Sequence, residues 1–136
     1  MALTVALGTY SYGWSQAYSD QIQVKQLLQS TTTSLGQPID LSALNPAQVT
    51  AIHVVVPPGQ STGWHKHPHP GFAYILRGTL TLETEAQTLT FSQGEAFVEM
   101  VDTAHNGHNR GTEPLEIVAF FPSVPGQPFA VPHVLP

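Results

Sequence analysis

A chain of 136 residues, 41% of them hydrophobic, is long enough to form one domain that buries its own core. It has no cysteine, which excludes a disulfide framework, a thiolate metal site and a thiol nucleophile. Four Lys and Arg against nine Asp and Glu leave a net charge of −5 and no basic run, which argues against a nucleic-acid partner.

Residues 1–20 carry Tyr10, Tyr12, Trp14 and Tyr18 without periodicity and read as an N-terminal arm. This start lacks a basic segment ahead of a long apolar one, so no signal peptide is read in it. The expected location is cytoplasmic, or exported with the leader removed. No apolar run approaches the roughly 18 residues of a membrane span, and no membrane partner is expected. Strands are predicted at 22–29, 49–56, 71–76, 79–85, 87–91, 96–101 and 115–121. Pro57-Pro58-Gly59, Arg77-Gly78, Gln93-Gly94 and the stretch from Asn109 to Pro114 mark turns between them. Residues 41–44 and 18–24 show only short traces of a helical pattern. Five prolines (122, 125, 128, 132 and 136) keep 122–136 out of any central strand, so this tail should cross the surface or meet a partner chain. The domain plan is therefore an arm at 1–20, a β-domain at 21–121 and a proline-rich tail at 122–136. Short strands of this kind must close or sandwich to hide their edges, which predicts an all-β, antiparallel jelly-roll barrel. The arm and tail are the segments expected to contact a second subunit in a homodimer.

The chemistry concentrates in Gly63-Trp-His-Lys-His-Pro-His-Pro-Gly71, where His65, His67 and His69 occupy alternate positions. Alternate residues of an extended segment point to one side, which aims imidazoles at a common point. His105 follows in Asp102-Thr-Ala-His-Asn-Gly-His-Asn109. Neutral imidazole is a ligand for zinc, copper, iron and nickel, so the pattern predicts a metal site inside the barrel. Prolines on both sides of His69 leave two positions open to it, the site or the barrel mouth. His53 alternates with apolar residues and is read as outward-facing. His108 is read as a loop residue and His133 as no ligand. Ser61 and Asp102 lack the context of a nucleophile elbow. Trp64 and Tyr74 flank the site and are candidates for pocket lining.

These stretches resemble the two motifs of the cupins. The family's first motif, G-x5-H-x-H-x3-4-E-x6-G, is matched from Trp64-His65-Lys66-His67 to Arg77-Gly78. The second, G-x5-P-x-G-x2-H-x3-N, is matched from Gly94 to Asn109. The resemblance implies a jelly-roll (double-stranded β-helix) barrel with His65, His67 and His105 as metal ligands. Two departures stand out. Gly71 occupies the place of the first motif's glutamate, and Met100 and Asp102 replace the second motif's proline and glycine. Glu99 is the one charge in the apolar run Ala96-Phe-Val-Glu-Met-Val101. Pointing inward, it could stand in as fourth ligand or act as a proton carrier beside the metal; facing out, it leaves a pure three-histidine centre. Asn109 is expected to be structural.

The three-histidine set resembles that of iron cupins acting on diketones or thiols. The functional expectation is a metal-binding cupin acting on an unidentified small molecule, an oxidoreductase of the dioxygenase kind. Fe(II) is the favoured divalent ion, with Zn, Mn or Ni as alternatives, and Glu99 or His69 would handle a proton. The rival readings are a non-catalytic small-molecule-binding cupin and a zinc- or manganese-dependent isomerase or hydrolase.

Overall fold

A computed structural model of the protein describes residues 17–136. Nine strands follow one another: β1 (Gln48–Val56), β2 (His65–Lys66), β3 (Phe72–Arg77), β4 (Thr79–Thr84), β5 (Thr88–Ser92), β6 (Ala96–Val98), β7 (His105–His108), β8 (Leu115–Ser123) and β9 (Val131–Pro132). They form two antiparallel sheets, in the order β1-β8-β3-β6 and β5-β4-β7-β2-β9. No helix occurs among the described residues. This is the predicted all-β jelly roll.

Alternation along the strands decides which residues enter the space between the sheets. In β8, Leu115, Ile117, Ala119, Phe121 and Ser123 are buried while Glu116, Val118, Phe120 and Pro122 are more exposed. Val56, Ala73, Ile75, Leu80, Leu82 and Phe97 meet the β8 residues from both sheets. Burial of these side chains is the main stabilising term for such a domain. The turn from β3 to β4 depends on Gly78, whose φ is +78°. A Cβ there would lie 2.9 Å from the Pro114 carbonyl oxygen, so this turn requires glycine on conformational and steric grounds alike.

Six of the predicted strands are present, most with ends moved by a residue or two. The seventh is not. Residues 22–29 run without a strand partner, and Ile22, Leu27 and Leu28 are exposed. Their apolar spacing has no sheet edge to pair with. Tyr10, Tyr12 and Trp14 of the expected arm lie outside the described residues. The tail begins differently from its reading: Pro122 and Ser123 end β8, an inner strand, at a point where β8 has run past β3 and pairs only with β1. Further on, Val131 and Pro132 add an edge strand beside Lys66 and His65. A proline is tolerated at such an edge because no inner neighbour needs its missing N–H.

Asn109 is buried and structural. Its Nδ2 donates to the Val56 and Glu113 carbonyls at 2.8 and 2.7 Å, and its Oδ1 accepts from Gly111 N–H at 3.0 Å. It ties the end of β1 to the loop that enters β8. Replacing Asn109 by Ala leaves these backbone groups unpaired. The expected loss is about 2–3 kcal/mol of unfolding free energy in urea titration. Metal binding by the folded fraction should be unchanged.

Candidate metal centre

Strand pairing brings the three histidines together. His65 sits opposite His105 where β2 pairs with β7, and His67 follows two residues further on. The ring centroids are 4.9 Å (His65–His67), 4.4 Å (His65–His105) and 5.0 Å (His67–His105) apart. Each ring is oriented by a backbone carbonyl: Nδ1 of His65 donates to Gly63, of His67 to Phe129, and of His105 to Thr103, all at 2.8 Å. A carbonyl oxygen can only accept, so the proton of each neutral ring resides on Nδ1 and Nε2 keeps its lone pair. This is how metal-binding imidazoles are held.

Glu99 points inward. Its backbone N–H donates to the Gly71 carbonyl at 2.8 Å, just beyond the paired residues Phe72 and Val98 of β3 and β6. Its Oε2 lies 2.9 Å from His67 Nε2 and 3.2 Å from His105 Nε2. The contacts are short, yet none of these three buried atoms has a well-formed hydrogen bond. With the ring protons on Nδ1, lone pairs face a carboxylate oxygen. Such an arrangement is stable only with a cation among the donors or a second proton on a ring. The four donor atoms of His65, His67, Glu99 and His105 lie within 4.8 Å of one another. Ligands about 2.1 Å from one ion stand about 3.0 Å apart at right angles, close to the Glu99 spacings. The residues present fit a divalent metal.

Gly71 and Glu99 explain each other. A Cβ on residue 71 would lie 2.3 Å from Phe121 Cε1. The Phe121 ring cannot easily withdraw, since it stacks between His67 (centroids 4.5 Å) and Phe129 (4.9 Å). The space of the first motif's glutamate is filled by this ring, and the carboxylate comes from the neighbouring strand instead.

The other singled-out residues fall elsewhere. His69 is not brought to the cluster: its Nε2 donates to Gln127 Oε1 at 2.7 Å, and it does not line the cavity. His53 faces outward beside Glu116 at 3.2 Å, His108 is paired with Glu83 at 2.7 Å, and His133 is 3.9 Å from Glu85. Trp64 lines the cavity and Tyr74 does not. Two contributors are not among the residues that the motifs single out. Phe121 was visible as an inward residue by its parity in β8, but nothing in the sequence reveals that the Phe129 carbonyl holds His67.

Burial pushes the Glu99 carboxyl upward in pKa, but its contacts with His105 and His67 outweigh this and hold it at about 2. Burial lowers the His67 pKa, and Glu99 beside it more than reverses that, leaving it raised. The His65 pKa is lowered, chiefly by burial.

The chain belongs to the cupins: the family model "Cupin domain" matches residues 52–121, just over half of the chain, including all four clustered residues. Phe129 lies beyond the matched region. Solved structures similar to it include a cupin domain from Bordetella pertussis (27% identity, 53% of this chain and 78% of that chain, TM-score 0.48). Another is an uncharacterised conserved protein with a double-stranded β-helix domain from Klebsiella pneumoniae (20%, 53% and 64%, TM-score 0.48). A third is oxalate decarboxylase from Bacillus subtilis (24%, 54% and 21%, TM-score 0.49). The chain thus spans less than two thirds of the length of the Klebsiella protein and about a fifth of the decarboxylase. No curated protein matches the chain.

Three outcomes follow from this geometry. A proton on His67 competes with a metal, and its raised pKa extends that competition above pH 6.5. Cobalt(II) affinity, titrated from pH 5.5 to 8.5, should therefore rise with pH through this range and then level. In Glu99→Gln the plateau affinity should fall by about tenfold or more through loss of a charged donor. Its pH midpoint should also move down, because the raising influence of the Glu99 charge is lost while burial still lowers His67, opposed only by the Phe129 carbonyl. Gly71→Ala should destabilise the fold by about 1–3 kcal/mol through collision with Phe121, and Phe121→Leu in the same chain should recover part of that loss.

Proposed function

We propose that this cupin holds one divalent ion through His65, His67, His105 and Glu99 and uses it on a small molecule bound in the adjoining cavity, as an oxidoreductase of the dioxygenase kind with Fe(II). The observation that carries the reading is the set of four inward donors. Three imidazoles have Nδ1 committed to carbonyls, one carboxylate adds its charge, and all face a cavity of about 560 Å³. The Glu99 spacings of 2.9 and 3.2 Å bracket those of ligands sharing one ion, and the six-coordinate arrangement is part of the proposal. Four protein donors then leave a six-coordinate ion with free positions, whereas four around tetrahedral zinc make a closed structural site. Fe(II) when bound would supply open positions where a substrate and O₂ can meet. The chain's own residues do the rest. His65, His67, His105 and Glu99 fix the donor geometry, the Gly63, Thr103 and Phe129 carbonyls hold the ring tautomers, and apolar walls line the adjoining cavity. Glu99 is read as a ligand first, and as a proton acceptor only where an ion does not engage it.

The test is metal analysis of protein expressed and purified without an affinity tag, under anaerobic conditions, followed by oxygen uptake with diketones, thiols and phenols. One equivalent of iron and substrate-dependent oxygen consumption, both lost in His67→Ala with the fold retained by circular dichroism, is the expected result. Stoichiometric zinc with no oxygen uptake would replace the reading by a zinc-dependent or binding role.

The homodimer is carried forward on a different observation. The outer face of β1, β8 and β3 places Ala51, Phe120 and Phe72 side by side in register, with His53, Val118 and Tyr74 in the next row. Phe120 is 48% exposed on this face. Light scattering should give twice the chain mass, and Phe120→Glu should give a monomer.

A further inference from the structure

The cavity beside the four donors has walls of one chemical kind. Its lining is mainly apolar, with Ile52, Val54, Leu80, Leu82, Ile117 and Phe129 among the walls, and polar side chains are confined to the donor cluster, Gln60, Ser61, Thr62 and the indole of Trp64. No Lys or Arg lines it. The chain has four, all among the described residues, and each is placed elsewhere. Lys25 lies in the exposed 22–29 segment, Lys66 lines a separate surface pocket beside Asp102, Arg77 reaches Glu113 at 3.7 Å, and Arg110 is exposed. Residues 1–16 contain no Lys or Arg to add.

Charge arithmetic at the centre then limits the ligand. A divalent ion beside the Glu99 carboxylate leaves one net positive charge, which a single anionic group neutralises. A second anionic group on the same molecule would be buried against aliphatic walls with no cation to pair with, a costly arrangement. The net charge of −5 disfavours a polyanion further. An apolar body, in contrast, gains from every methylene it places against those walls.

We propose that the cavity selects an amphipathic monoanion, one acidic head directed at the four-donor cluster and an apolar body along the walls, and that it discriminates against dicarboxylates and phosphate esters. This rests on the metal reading for the head group and on the walls for the body, and the two can be tested apart. Binding of the straight-chain monocarboxylates from acetate to octanoate, and of the dicarboxylates of equal carbon number, is measured by calorimetry on the cobalt(II)-loaded full chain. Each added methylene should tighten monocarboxylate binding about threefold to fourfold until the cavity is filled. Each dicarboxylate too long to chelate one ion with both groups, from glutarate to octanedioate, should bind at least about tenfold more weakly than its monocarboxylate partner. Oxalate to succinate are left out of the comparison because both of their carboxylates can reach the ion. Affinity independent of chain length, or these longer dicarboxylates binding as tightly as monocarboxylates, would overturn the proposal. Cobalt(II) uptake is read first from its visible absorption. Its failure overturns the metal reading alone, because the same series run on metal-free chain, read by melting temperature, still decides the preference of the walls. There the chain-length increments should persist with weaker absolute binding, and their absence counts against the proposal.

Discussion

A carboxylate buried between two imidazole nitrogens must be matched by positive charge, and this requirement organises the centre of the molecule. Oε2 of Glu99 is 2.9 Å from His67 Nε2 and 3.2 Å from His105 Nε2, while the other nitrogen of each ring faces a backbone carbonyl. The tautomers are thereby set so that lone pairs converge. Without a metal the cluster can be satisfied only by taking up a proton, consistent with the raised pKa of His67 beside its carboxylate. With a metal, four donors meet one cation. The cluster is compatible with either source of that charge, a divalent ion among the donors or a proton on His67.

The barrel makes that convergence rigid. His65 and His105 face each other across β2 and β7, and the Glu99 backbone is bonded to Gly71 next to the β3–β6 pairing. Moving the carboxylate from position 71 to position 99 keeps an acidic donor while letting Phe121 stack on His67. The tail completes the arrangement from outside the family match. Phe129 supplies the carbonyl for His67, a stacking partner for Phe121 and part of the cavity wall. The proline-rich segment is therefore part of the site and not a loose end. Its prolines suit the role, since an edge strand and an irregular crossing need few N–H donors.

What could be read in the sequence follows from how local each signal is. The alternate spacing of His65 and His67 on an extended segment is a local property, and it placed both rings correctly. The strands flanked by Gly78 and Gly94 were marked by turn chemistry, and they lie close to where that chemistry puts them. Glu99 stood out as a lone charge in an apolar run, but its direction depended on register with Gly71, which no local pattern contains. β7 (His105–His108) carries no local strand signal because Asn and Gly have little preference for strands; pairing with β4 and β2 imposes the conformation. Residues 22–29 fail in the opposite sense. Their composition suits a strand, and no neighbour is there to make one.

X-ray absorption at the metal edge of the loaded protein tests the centre most directly. The account predicts a first shell of nitrogen and oxygen near 2.1 Å, with outer-shell scattering that requires three imidazoles. It also predicts a carboxylate contribution that disappears in Glu99→Gln. A shell with one or two imidazoles, or one unaltered by that substitution, would contradict a four-residue centre made of His65, His67, His105 and Glu99.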